Sequence, residues 1–122
     1  ALHCGLQALQ FPPPPISVDP LAEALEIAPL HTPQLVIEEA EKMGNCCALF
    51  IQAIHSGESY LYRVKKPERA TLLLHREPSS WEWQVEEIGL RQNIGEVSAR
   101  TENLIYYWIR QNKKMAQRLK TK

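Results

Sequence analysis

At 122 residues the chain has the length of one domain and can bury a modest, self-sufficient core. With 44% hydrophobic and 23% charged residues its composition is that of an ordinary soluble globular protein, which excludes a disordered or collagen-like chain. The formal net charge of +0 hides an asymmetry: residues 1–60 carry seven acidic and one basic residue (net −6), residues 61–122 seven acidic and thirteen basic (net +6). The basic half suits an anionic partner, while the acidic half argues against a general polyanion-binding surface. A dipolar chain that associates head to tail, or one with no partner at all, is the plainer reading.

Three cysteines, two of them adjacent, do not make a disulfide framework. Neighbouring cysteines rarely bridge each other, because the small ring strains the peptide bond between them. The expected setting is reducing and cytoplasmic. No apolar run reaches the length of a membrane span, and residues 1–20 do not read as a signal peptide. The opening ALHCGLQALQ reads as the end of an element, so a piece of a longer protein is expected.

Residues 1–10 suggest a turn or two of amphipathic helix through Leu2, Leu6 and Leu9. Prolines 12–15 continue neither helix nor sheet and read as a polyproline strap or spacer. Asp19 and Pro20 then open a predicted short helix over 21–27, ended by Pro29. Thr32 and Pro33 repeat that signal for a helix of about a dozen residues, with Glu38, Glu39 and Glu41 on its solvated face and Gly44 as its C-cap. Asn45 caps a predicted second helix over 46–55, apolar on most faces and hence buried.

From Glu58 the period becomes two. Tyr60, Tyr62 and Val64 face one way, Leu61 and Arg63 the other. After the turn 65–68, a dense strand over 71–75 places Leu72 and Leu74 against Thr71, Leu73 and His75. The turn 77–80 leads to a third strand in which Trp81, Trp83 and Val85 oppose Glu82, Gln84 and Glu86. Such short connections make antiparallel hairpins. Ser98 caps a final helix from about Ala99 to Met115 or beyond, with Leu104, Ile105, Trp108, Ile109 and Met115 in one stripe. The expected fold is α+β: N-terminal helices, a three-stranded antiparallel meander and a C-terminal covering helix. Residues 1–20 form the strap, 21–115 a single domain and 116–122 a basic tail.

The segments PLHTPQLVIEEAEKMGNC, SGESYLYRV, PERATLLL, a tryptophan-bearing strand, and EIGLRQN followed by EVS span about residues 30–108. This stretch resembles the PcfJ-like proteins, a family associated with conjugative plasmids and other bacterial mobile elements. Members of this type read like a His-Cys pair with a tyrosine four residues after the cysteine. A Gly-acidic-x-x-Tyr strand, a Pro-Glu-Arg-Ala-Thr-Leu segment and an asparagine ending the third strand follow. Cys46 and Asn93 match the cysteine and the asparagine; the histidine and tyrosine positions hold Asn45 and Phe50. The resemblance implies a fold and a mobile-element context, not a reaction.

Several residues invite chemistry. A thiol at a helix start, as predicted for Cys46 and Cys47, feels the positive end of the dipole, and with a base nearby it would suit a nucleophile. The plainer reading is a buried cysteine acting as a small hydrophobe. Cys4, Cys46, Cys47, His31, His55 and His75 could ligate one zinc, yet none has zinc-site spacing, and no metal or cofactor is expected. Arg63, Thr71 and His75 share or neighbour a sheet face, and Arg91, Gln92 and Asn93 follow the third strand. Beside a helix N-terminus such a cluster suits phosphate or a nucleic-acid end; otherwise Arg63 and His75 simply solvate the face, pairing with Glu82 or Glu86.

The last helix adds Lys113 and Lys114 to a run in which six of thirteen residues are basic, behind Tyr106, Tyr107 and Trp108. Basic and aromatic residues together grip nucleic acid, although cations also collect at helix ends for the dipole alone. No Gly-rich phosphate loop, zinc-deaminase signature or Gly-x-Ser-x-Gly is present. The expectation is a domain that binds nucleic acid or a partner protein. The alternative is an enzyme acting on a nucleotide or nucleic acid through Cys46, His75, Arg63 and Asn93.

Overall fold

The computed structural model describes residues 9–18 and 24–120, with side chains as far as Asn112. Four strands form one antiparallel sheet in chain order: β1 (Glu26–Pro29), β2 (Ser59–Lys66), β3 (Ala70–Arg76) and β4 (Trp83–Gly89). Helix α1 (Pro33–Met43) and a broken segment ending in α2 (Ile51–His55) precede β2, and α3 (Ala99–Lys120) closes the chain. The α+β architecture with its covering C-terminal helix is as the sequence predicts, with one strand more. Among the described residues no helix is long and apolar enough to cross a membrane.

The extra strand replaces part of the predicted helix over 21–27, whose first half lies outside the described residues; of the helix expected over 1–10, residues 1–8 lie outside them and 9–10 are not helical. Ile27 pairs with Val64 and Pro29 with Tyr62, and the Leu30 N–H continues the ladder to the Leu61 carbonyl at 3.0 Å. Pro29 is tolerated because β1 is an edge, where the missing N–H costs no ladder bond. The alternation of β2 and β3 holds throughout their pairing, Tyr62 opposite Leu72 and Leu61 opposite Leu73. In β4 the register slips between Leu73 and Leu74, whose partners are Glu87 and Val85. Glu86 is thus the extra residue of a bulge, and Ile88 returns to the face of Val85.

Two layers cover the sheet. Tyr60, Tyr62, Val64, Leu72 and Leu74 face α3 and the strap, with Tyr62 edge-on to Trp108 at 5.1 Å between centroids. Prolines cannot offer N–H groups to a ladder, so side chains bind the strap instead. The Tyr62 hydroxyl donates to the Ile16 carbonyl at 2.7 Å and accepts from the Ile16 N–H at 3.0 Å, Trp108 Nε1 donates to the Ser17 carbonyl, and His55 Nδ1 to the Gln10 carbonyl. Burial of that hydroxyl raises the pKa of Tyr62. The opposite face, with Leu61, Thr71 and Leu73, carries α1 and residues 47–55.

The predicted helix over 46–55 is a 3₁₀ turn, Cys47–Phe50, running into α2. With three residues per turn, Cys47 and Phe50 both point at the sheet and Leu49 points away, 79% exposed rather than buried. Glu39 departs from expectation in the other sense. It is only 2% exposed and lies under α1, not on the solvated face.

Arg69 explains that burial. Its guanidinium grips both Glu39 oxygens, Nη1 to Oε2 at 3.0 Å and Nη2 to Oε1, and also donates to the Val64 and Ala70 carbonyls. Thr71 Oγ1 gives the carboxylate a third donor at 2.6 Å. The neighbouring residue, Glu68, clasps the other layer: its Oε1 accepts from the Ser98 N–H at 2.7 Å and from Thr101 Oγ1 at 2.6 Å at the start of α3. These bonds hold the Glu68 carboxyl below the ordinary value of 4.5. Ser98 caps the helix as predicted, Oγ accepting the Thr101 N–H at 3.3 Å.

Removing one member of a buried ion pair strands the other. Glu39→Ala should therefore destabilise the fold by about 3 kcal/mol, the low end for such a loss because Arg69 is partly exposed. Glu39→Leu combined with Arg69→Met should restore most of it. Urea unfolding with an unchanged m-value measures both; a Glu39→Ala loss below about 1 kcal/mol, the level of a surface pair, would mean the pair is no bolt.

Candidate functional site

The Glu39 network reaches the only cysteine exposed among the described residues. Thr71 Oγ1, already donating to Glu39, accepts from Asn45 Nδ2 at 3.3 Å, and Asn45 Oδ1 accepts the Cys47 N–H at 3.1 Å. Asn45 does not cap a helix beginning at Cys46, as the sequence predicts: the turn starts at Cys47, with Cys46 in the cap position. Asn45 instead accepts the Cys47 N–H from one residue further back, and Cys46 lines a cavity of about 70 Å³. Asn93 and Gly89 close its far side, with Glu87 and Thr71 among its polar walls. A side chain at Gly89 would put a Cβ 3.1 Å from Asn93 Oδ1, so glycine lets the amide lie flat on β4. The structure brings Asn45, Cys46 and Asn93 to one opening.

The turn carrying Asn93 is held from α1. Arg91 Nη2 donates to the Lys42 carbonyl at 3.2 Å, in the last turn of that helix, where a cation is favoured. Gln92 and Asn93 adopt φ of 57° and 56°, a conformation asparagine accepts more readily than most residues. Gln92 lays its Cγ against Gly44, the αL cap of α1, where a Cβ would lie 3.1 Å away.

Other predicted residues lie elsewhere. His75 is on the Thr71 face but four residues further along β3, about 13 Å at strand rise, and it faces Glu86 Oε2 at 3.8 Å. It does not line the cavity. Arg63, opposite Thr71 on β2, borders a separate groove with Glu38, Glu41 and Lys42. The side chains of Lys113 and Lys114, and all of Cys4, lie outside the described residues. His31 and His55 are tied to backbone carbonyls away from the cysteines. Among the described residues no three His, Cys, Asp or Glu side chains converge as metal ligands would.

Size limits the chemistry of this cavity. At about 70 Å³ it falls well short of the roughly 300 Å³ at which ligand-sized pockets begin. The dipole at Cys46 is that of a four-residue 3₁₀ turn, not of the longer helix predicted. Cys47 is the inert partner: its thiol donates to the Val36 carbonyl at 3.6 Å, and burial, with the Glu39 charge in support, pushes its pKa up to about 12.

A second feature was hidden in the sequence. The turn 77–80 folds Arg76 back between two indoles, its guanidinium 5.0 Å from the Trp81 ring centroid and 4.8 Å from that of Trp83. Trp81 is 66% exposed. The nearby carboxylate of Glu77 is spent on the turn, accepting from the Ser79 hydroxyl and from the Ser80 and Ser79 N–H groups at 2.8 and 2.9 Å, which together hold its pKa down. Arg76 therefore has no carboxylate partner among the described residues, and its buried Nε has no hydrogen bond. Beside it, Trp83, Gln84 and Val85 of β4 and Tyr106, Ile109 and Arg110 of α3 line a groove of about 320 Å³. The alternation placed Trp81 and Trp83 on one face; nothing in the pattern placed Arg76 between them.

No family model, curated protein or solved structure matches the chain.

Alkylation of the native protein followed by peptide mass mapping should label Cys46 and spare Cys47 until denaturant is added, because only the second is buried with a raised pKa. Equal native labelling of the two would mean that residues 46–50 do not hold Cys47 against the sheet.

Proposed function

We propose that this chain is a PcfJ-like domain that binds nucleic acid in the cytoplasm, in mobile-element biology, through the face formed by Arg76, Trp81, Trp83 and α3. The observation that carries the reading is Arg76. A cation beside two indoles, with no carboxylate to neutralise it among the described residues, is completed by an anion from outside. The charge asymmetry agrees, since the face belongs to the half with net +6. Arg110 extends it along α3, toward the backbone positions of Lys113 and Lys114. Unpaired Cys46 and Cys47 suit a reducing compartment.

The enzyme alternative draws less support. It rests on Cys46 and Asn93 at a cavity of about 70 Å³, with His75 and Arg63 on other parts of the surface.

Fluorescence anisotropy with labelled DNA and RNA measures the proposal. Binding should appear at low salt and weaken with ionic strength, losing about 0.7–0.9 in the log–log slope for each phosphate contact removed. Arg76→Ala should weaken it by roughly 5- to 150-fold, equivalent to about 1–3 kcal/mol for a stacking or charge-assisted contact. Indifference of the chain to both nucleic acids at low salt would end this reading.

A further inference from the structure

We infer that the ligand of this face is a single strand, one base of which enters the groove between β4 and α3. The inference rests on the nucleic-acid reading and sharpens it. The groove, about 320 Å³, sits at the small end of ligand-sized pockets. Its walls are the Trp83 and Tyr106 rings with Val85 and Ile109, and the Arg110 guanidinium lies at its edge. Rings stack on a base and a guanidinium takes the adjoining phosphate.

The shape decides between strand and duplex. In a duplex both faces of each base are covered by neighbours, so the rings on this surface would have nothing to stack on. Reading a duplex requires an element that projects into a groove about 12 Å wide. Here β4 is a strand of the sheet, paired with β3, and the Ile105–Trp108–Ile109 side of α3 is already turned into the core. A concave slot accepts a splayed base instead. Trp81 and Arg76, at one end of β4, offer a second station for a neighbouring nucleotide.

Two tyrosines supply a built-in comparison. Tyr106 lines the groove and is 42% exposed; Tyr107, one residue on, is 54% exposed and is not among the residues of the groove. Successive helix residues lie about 100° apart, so the two rings project to different sides of α3. Both are surface residues, and replacing either leaves the core intact.

The test uses the full chain with a fluorescent strand of about 16 nucleotides, a length that covers one small domain, and with the same strand annealed to its complement, at about 50 mM salt. The strand should bind more tightly than the duplex, Tyr106→Ala should weaken strand binding by roughly 5- to 150-fold, and Tyr107→Ala should leave it unchanged. Equal affinity for strand and duplex, or equal losses from the two tyrosine variants, would overturn the inference while the nucleic-acid reading stood. Binding of neither form would overturn both, and would leave the Trp and Tyr surface as a docking face for protein.

Discussion

A single turn holds the two helical layers to the sheet. Between β2 and β3, Arg69 reaches under α1 to Glu39 and Glu68 reaches across to the start of α3. Adjacent side chains thus clamp opposite faces of one sheet. The buried half of this clamp is the more demanding. A carboxylate that is 2% exposed persists only with its lone pairs filled, and three donors from Arg69 and Thr71 fill them. The same contacts fix the distance of α1 from β3. Thr71 then passes that constraint through Asn45 to Cys47, so the opening at Cys46 and Asn93 depends on the ion pair beneath it.

Features that depend on local sequence were readable. The period-two patterns of β2 and β3, the Thr32 and Ser98 caps and the αL glycine at 44 each carry their cause within a few residues. Features set by distant partners were not. Glu39 reads as solvated until Arg69, thirty residues away in sequence, is placed against it. Strand β1 is four residues long and ends in proline, so it signals a break more strongly than a pairing. In residues 46–55 a run of apolar side chains suggested a buried helix, while 3₁₀ geometry left Leu49 in water. Arg76 was invisible as a site residue because its role depends on how the turn 77–80 is tied by Glu77.

The two candidate sites differ in what they leave unfinished. At the Asn45–Cys46–Asn93 opening the Asn45 amide is engaged with Thr71 and with the Cys47 N–H, and the space beneath is small. At the Trp81–Arg76–Trp83 face a half-buried guanidinium lies 5.0 and 4.8 Å from two ring centroids and has no counter-charge among the described residues. Such a cation is left with its charge to offer to an anion from outside. That imbalance, on the basic half of the chain, is why function is assigned to the surface and not to the cavity.

The three tryptophans make that assignment directly measurable. Trp81 and Trp83 stack on Arg76, whereas Trp108 is buried against Tyr62 with its N–H bonded to the Ser17 carbonyl. In an NMR titration with a single-stranded oligonucleotide, assigned through Trp81→Phe and Trp83→Phe variants, the indole N–H signals of Trp81 and Trp83 should move and that of Trp108 should stay. A strand that binds while leaving Trp81 and Trp83 unmoved, or that shifts Trp108 as far as the other two, would contradict the account.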